Sequence, residues 1–424
     1  MRRAIFWFRN DLRLADNEGL IKATSARKEV LPVYILDRSW LEEKQFGIDR
    51  MGGFRLKFLL ESLADLKSSL QAIGSDLHFV IGDPIEEIQR IKNDWQCERL
   101  FAQKASADEE TTIEEEIQKI IDAEFVWGET LYHLNDLPIT LEELPDVFTQ
   151  FRKIAEKKAI VREELETPLT INSPEGFGSN LPTIYDLGFE PFQADERAVI
   201  HFKGGEKAGM ERLNYYLWDT ELLANYKYTR NGLIGGDYSS KFSPWLALGC
   251  LSPRQVYWQV QKFERYVKKN SSTYWLVFEL IWRDYFHFVA LKYGHKIYRR
   301  SGISGDEKIE WGPDKLFHLW KDGRTKEPFV DANMRELNAT GFMSNRGRQN
   351  VASYLMHNMK IDWRLGAAYF EKMLLDYDPC SNYGNWIYIV GVGNDPRGGR
   401  AFNIERQKET YDPKGTYQNL WAAD

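Results

Sequence analysis

Short apolar runs alternate with amphipathic stretches over residues 1–130, and the two patterns predict different elements. Runs at 4–8, 30–36, 77–81, 100–103 and 124–127 are strand-like and bounded by polar or turn residues. Stretches 53–72, 85–93 and 109–122 instead repeat apolar residues at helical spacing. Strands alternating with helices imply βαβ units and a doubly wound parallel α/β sheet. Pro84 after Asp83 suits a first helical turn, where its missing N–H has no partner to lose.

From about residue 201 the strand signals fade, and helical patterns follow at 210–224, 252–266, 273–293, 314–321, 331–338, 345–359 and 363–375. This half is predicted to be all-α. Residues 131–200 read as a connector, because 167–180 carries Pro, Gly, Ser and Asn with few apolar residues. The expected organisation is an α/β domain over 1–130, a connector over 131–200 and an all-helical domain over 201–424.

At 424 residues the chain exceeds what one ordinary core organises, in keeping with two domains. Its 43% hydrophobic and 28% charged residues are those of a soluble globular protein. A net charge of −7 argues against broad electrostatic binding to nucleic acid, although a local basic patch can hide in an acidic average. Cys97, Cys250 and Cys380 lie far apart without CxxC spacing, so neither a disulfide framework nor a zinc site is expected. A reducing, cytoplasmic setting is. Arg9, Asp11 and Arg13 interrupt the apolar opening and mark it as a strand rather than a signal peptide. No apolar run reaches about 18 residues, so no membrane span is predicted. No Gly-x-Gly-x-x-Gly follows the first strand and no Gly-x-x-x-x-Gly-Lys-Ser/Thr occurs, so the sheet carries no standard nucleotide loop.

Chemistry concentrates in residues 340–386. Thr340 opens Thr-Gly-Phe-Met-Ser-Asn-Arg-Gly-Arg-Gln, and Asp362-Trp363-Arg364 follows. Then comes Asp376-Tyr377-Asp378-Pro379-Cys380-Ser381-Asn382-Tyr383-Gly384-Asn385-Trp386. Charge, amide and indole at this density do not suit an apolar core. They suit a pocket for a large, flat, partly charged molecule. Upstream, Tyr238-Ser239-Ser240-Lys241-Phe242-Ser243 puts hydroxyls and a Lys ahead of a helix-compatible run, as a phosphate cradle or an ordinary N-cap. Trp275, Glu279, Trp282 and Phe286 share one helix face, and Arg283 is placed to pair with Glu279 at i+4. A carboxylate in an aromatic stripe is costly unless a partner or ligand satisfies it.

These motifs, with Trp7-Phe8-Arg9-Asn10-Asp11-Leu12-Arg13 and Trp127-Gly128-Glu129-Thr130-Leu131, resemble the photolyase/cryptochrome family. The Gly-Phe-Met-Ser-Asn-Arg-Gly-Arg-Gln and Asp-Pro-Cys-Ser-Asn-Tyr-Gly-Asn-Trp variants resemble its cryptochrome DASH branch. The resemblance implies FAD, held by Tyr226, Ser239, Ser240, Lys241, Phe242, Ser243, Glu279, Arg283, Asn345, Arg348, Asp376, Tyr377, Asp378 and Asn382. Arg348 would pair with Asp376, and Asn382 would face flavin N5 with a neutral amide that favours the anionic reduced flavin. Ser239 and Phe242 depart from the usual Thr and Leu. Glu279, Trp282, Arg283, Asn345, Arg346, Gln349 and Tyr388 would meet the damaged bases. Trp386, Trp363 and Trp311 match the family's electron-passing chain, with Trp320 the alternative to Trp311; the other reading is that all merely pack.

Gln349 and Tyr388 replace the Met and Trp usual in duplex-repairing relatives and make the pocket more polar. The resemblance therefore implies lesions that are already unpaired, since extruding a base from a duplex costs a few kcal/mol. Arg346, Lys241 and Arg397 are phosphate contacts or solvated charges. The sheet domain is expected to hold an antenna, a folate such as 5,10-methenyltetrahydrofolate. The implied function is a light-driven, metal-free, monomeric photolyase for cyclobutane pyrimidine dimers in single-stranded DNA, with RNA as a second nucleic-acid partner. The alternative is a blue-light photoreceptor, against which the absence of a long tail after Tyr417 counts. A light-independent flavoprotein oxidoreductase is a distant third.

Overall fold

The apolar runs of the first domain become five parallel strands in the computed structural model, which describes residues 3–305, 311–312, 314–394 and 398–423. They are β1 (Arg3–Phe8), β2 (Glu29–Asp37), β3 (His78–Gly82), β4 (Arg99–Gln103) and β5 (Asp122–Val126). Their order is β3-β2-β1-β4-β5, with Ala4 opposite Val30 on one side and Arg99 on the other. The order therefore switches at β1, where a doubly wound sheet opens a crevice beyond its carboxyl ends. Helices α1 (Glu18–Ala26), α2 (Gly53–Ala72), α3 (Pro84–Trp95) and α4 (Asp108–Ile120) flank the sheet. Period-two alternation sorts the two faces. Ile5 and Trp7 pack with Ile88, Ile91 and Ile117, while Phe6 and Phe8 join a core that runs through α2 into the helical half.

The site is shaped by α5 (Phe148–Lys158), α6 (Glu206–Asn214), α7 (Ser243–Ala247), α8 (Pro253–Tyr266), α9 (Ser271–Tyr293), α10 (Pro328–Thr340), α11 (Asn345–Ser353), α12 (Trp363–Met373), α13 (Pro379–Val390) and α14 (Thr416–Leu420). Two differ from the sequence reading. Helix α5 lies inside the expected connector and buries Phe148, Phe151 and Ala155. Helix α13 holds Asn382 and Trp386 where no helix was assigned; Asp378 caps it by accepting from Cys380 N at 3.0 Å, with Pro379 first. The patterns at 210–224 and 345–359 also do not continue as single α-helices. Each passes into a π-helical turn, Tyr215–Asp219 and Tyr354–Asn358, a device that shifts the register of side chains beside a site.

Backbone groups knit the domains together. Asp284 on α9 accepts from Leu131 N and Tyr132 N, both at 2.8 Å, and burial pushes its carboxyl up to about 7. No helix among the described residues is long and apolar enough to cross a membrane. Arg397, expected as a phosphate contact, lies outside the described residues.

Candidate functional site

Helices α9, α11 and α13 and the 238–243 loop enclose a cavity of about 540 Å³, within the ordinary range for ligand sites. Tyr226, Ser239, Ser240, Lys241, Phe242, Ser243, Glu279, Trp282, Arg283, Arg346 and Tyr388 line it. A recess continues from it, sharing Asn345, Arg348, Gln349, Asp376 and Asp378 and adding Tyr377, Asn382 and Trp386. Residues from motifs more than a hundred positions apart thus meet on one wall.

At one end, Lys241 is bent into the left-handed region (φ 56°) and only 3% exposed. Its Nζ lies 3.1 Å from the Tyr238 ring centroid and 3.4 Å from Ser239 Oγ. No carboxylate among the described residues forms an ion pair with it, and burial holds its ammonium well below the ordinary range. A buried, unpaired cation among serines fits an anionic group such as a diphosphate. Arg212 of α6, which sequence reading missed, organises the loop through its carbonyls. It donates to Ser240 O at 3.0 Å, Gly236 O at 2.7 Å and Ser239 O at 3.1 Å.

In the recess Arg348 Nη2 donates to Asp376 Oδ2 at 2.8 Å, the expected pair. Asp376 Oδ1 is buried with no partner among the described residues, so it is ready to accept from a ligand N–H. Asn382 gives its Nδ2 to Ala367 O at 3.1 Å. Asp378 meets His287 of α9, another residue the sequence reading did not single out. His287 Nε2 lies 3.1 Å from Asp378 Oδ2, and its Nδ1 lies 3.1 Å from Glu129 Oε2.

The ion pair expected between Glu279 and Arg283 is not formed. Glu279 pairs instead with Arg230 at 2.5 Å. Arg283 turns to the other domain and donates to Glu129 O and, at 3.3 Å, to Leu246 O. Helical spacing permits an i,i+4 pair, but the carbonyls of Glu129 and Leu246 compete for the same guanidinium. Burial raises the Glu279 carboxyl above its ordinary value, and Arg230 opposes that shift. Phe148 of α5 stacks on Trp282 at 3.6 Å between ring centroids, with planes 13° apart, so one indole face is backed by protein. Tyr388 meets the Trp282 ring edge to face at 5.6 Å and is itself bound by Arg400. Gln349 Oε1 accepts from Arg346 Nη1 at 2.9 Å. Nothing along the chain signalled Phe148, Arg230 or Arg400, since only the fold brings each to its partner.

Trp386 and Trp363 are both buried. Trp363 Nε1 donates to Arg300 O at 3.0 Å, and the Arg300 guanidinium lies 5.0 Å over the half-buried Trp311. Trp320 is fully buried and meets Trp386 edge to face at 6.4 Å.

A second cavity, about 250 Å³, sits at the sheet's switch point between the domains. Trp7, Arg9, Tyr34, Arg55, Glu110 and Glu129 line it, and Tyr377 and Asp378 form a wall common to it and the recess. Burial pushes the Glu110 carboxyl up to about 7, with Arg9 opposing.

Known proteins share this arrangement. The family models described as DNA photolyase and FAD binding domain of DNA photolyase match residues 4–169 and 275–424. A Gloeobacter violaceus protein named cryptochrome DASH is 46% identical, covering 100% of this chain and 86% of its own. A cryptochrome DASH of Synechocystis sp. is likewise 46% identical, over 99% and 87%. The crystal structure of a Synechocystis sp. cryptochrome aligns with a TM-score of 0.95 at 45% identity, over 99% of this chain and 88% of that one. A bacterial class III photolyase from Agrobacterium tumefaciens aligns with a TM-score of 0.85 at 26% identity, over 99% and 86%. Matched in both domains and along its whole length, the chain belongs to the photolyase/cryptochrome family, in its cryptochrome DASH branch.

Proposed function

We propose that the protein is a blue-light-driven photolyase that splits cyclobutane pyrimidine dimers, mainly in single-stranded DNA. One observation carries the reading. The wall with Glu279, Trp282, Gln349 and Tyr388 and the wall with Arg348, Asp376 and Asn382 belong to one continuous cavity, so a flat cofactor and an extruded pyrimidine dimer can meet inside it. Bound FAD would supply light-driven electron donation to the dimer, with return of the electron after the ring opens and no net redox change.

The residues do the positioning. Lys241, Ser239, Ser240 and Ser243 would hold the diphosphate, with Tyr226, Phe242, Arg283 and Asn345 on adjoining walls. Arg348, Asp376, Tyr377, Asp378 and Asn382 would hold the flavin ring. Asn382 offers an amide with no charge, which suits a ring that gains negative charge on reduction. Glu279, half-buried beside Arg230, would hydrogen-bond the dimer, and the free face of Trp282 would stack on it. Arg346 would contact a phosphate. Trp386, Trp363 and Trp311 would carry electrons inward to recharge oxidised flavin, Trp311 being joined to Trp363 through Arg300. The second cavity suits a folate antenna, because Glu110, with its raised carboxyl, could donate to or accept from a pterin edge.

The test is blue-light repair of a thymine-dimer oligonucleotide by purified, reduced protein, single-stranded against duplex, with a dark control. Repair of the single strand in light alone is the expected result. Failure on both strands, with normal light-driven flavin reduction, would refute the repair reading in favour of a photoreceptor.

A further inference from the structure

His287 is 1% exposed, and both of its ring nitrogens face carboxylates. Nε2 meets Asp378 at 3.1 Å; Nδ1 meets Glu129 at 3.1 Å and Ser106 Oγ at 3.1 Å. A neutral imidazole has one N–H and could donate to only one of these partners, so two carboxylates on opposite sides select the doubly protonated ring. The carboxylates stand at different places. Glu129 lines the second cavity, and Asp378 forms the wall common to both.

The other groups around the ring do not replace its charge. Arg283, one turn back on α9, donates to the carbonyls of Glu129 and Leu246 rather than to either carboxylate. Asp284 on the same helix is engaged with Leu131 N and Tyr132 N. Cys380 of α13 has its thiol pushed up to about 12 by burial, so it stays neutral. Glu110 of α4 adds a carboxyl nearby whose ionisation is opposed by burial. Asp378 is further held by Ser381 Oγ at 2.6 Å, and Glu129 by Ser106 Oγ at 2.6 Å. The pair of carboxylates would be intolerable in a dry interior without a cation between them.

We propose that His287 is a positioning residue for the flavin site: held as an imidazolium between Asp378 and Glu129, it keeps Asp378 ionised and fixed at the wall between the two cavities. The proposal rests on the flavin reading above. Its raised basicity, opposed by burial but driven by Glu129 and Asp378, agrees with the geometry. In a neutral variant one carboxylate must take the proton, and that proton is lost as pH rises.

The test titrates FAD into apoprotein between about pH 6 and about pH 8.5, reading Kd by flavin fluorescence. Wild type and H287R should vary less than about threefold, whereas Kd for H287Q should rise about tenfold or more, one bound proton being worth up to tenfold per pH unit. An H287Q profile parallel to wild type overturns the proposal. A second measurement needs no variant to bind flavin: side-chain 15N spectra of the seven histidines in wild-type apoprotein, with His287 assigned by the signal lost in H287R. His287 should stay doubly protonated to about pH 8.5; a neutral ring at pH 7 overturns the proposal. Wild-type protein that binds no FAD at any pH refutes the flavin reading instead, and the spectra then decide the role of His287 alone.

Discussion

Replacing Glu336 with Gln should flatten the pH dependence of the apoprotein's stability. Glu336 lies on α10, 1% exposed, and accepts the Tyr417 hydroxyl of α14 at 2.6 Å. Burial pushes its carboxyl from 4.5 up to about 7, opposed by Tyr417, Lys241 and Arg348. The folded chain therefore keeps a proton that the unfolded chain releases above pH 4.5. The sign follows: this contribution is fully present below the unfolded value and is lost as pH rises through about 7. A shift from 4.5 to about 7 at 1.36 kcal/mol per unit amounts to about 3 kcal/mol lost by about pH 8.5. Gln keeps the shape and the acceptor for Tyr417 but cannot ionise. Urea unfolding of both apoproteins, followed by tryptophan fluorescence, should give similar stabilities near pH 5. Near pH 8.5 Glu336→Gln should be the more stable by about 2–3 kcal/mol. A stability difference that stays constant across pH would refute the reasoning.

Four other substitutions test the site. Trp386→Phe should slow light-driven reduction of bound flavin at least about tenfold, since Phe is far harder to oxidise, yet spare repair by chemically pre-reduced enzyme; equal loss of both would sink its place in the chain. Glu279→Ala should lower repair about tenfold or more, the usual cost of losing a charged hydrogen bond, while flavin stays bound; protein purified without flavin would move Glu279 to cofactor retention. Asn382→Asp should lower the bound flavin's one-electron reduction potential by roughly 100–200 mV, because a unit charge at about 4 Å and an effective dielectric near 20 interacts at about 4 kcal/mol; a dye-coupled titration giving the wild-type potential would rule that out. Gly366→Ala drives a methyl into the Trp386 ring and should destabilise the fold by about 1–3 kcal/mol with slower photoreduction; a wild-type melting curve would show that the ring has room to move.

The chain's own order of residues already determined the sheet and most helices. An unbroken apolar run at residues 4–8 and a period of 3.6 in residues 53–72 need only neighbours in sequence to be read, and the structure has β1 and α2 there. The motifs around Asp376 and Asn382 stood out in sequence because carboxylate, amide and indole crowd into a short span that does not suit an apolar core. Tertiary structure decided the partners. Arg230 won Glu279 from Arg283 because carbonyls of Glu129 and Leu246, remote in sequence, claimed the second guanidinium. Phe148, within the expected connector, stacks on Trp282, and burying the two rings together favours the short helix that carries it. Helix α13 escaped notice because its apolar and polar residues serve two cavities and so follow no single stripe. His287, placed among aromatic residues on α9, reads as core filling until the fold sets Glu129 and Asp378 on its two sides. Periodicity is a property of neighbours along the chain, whereas charge pairing depends on distance in space, and only the folded chain fixes that distance.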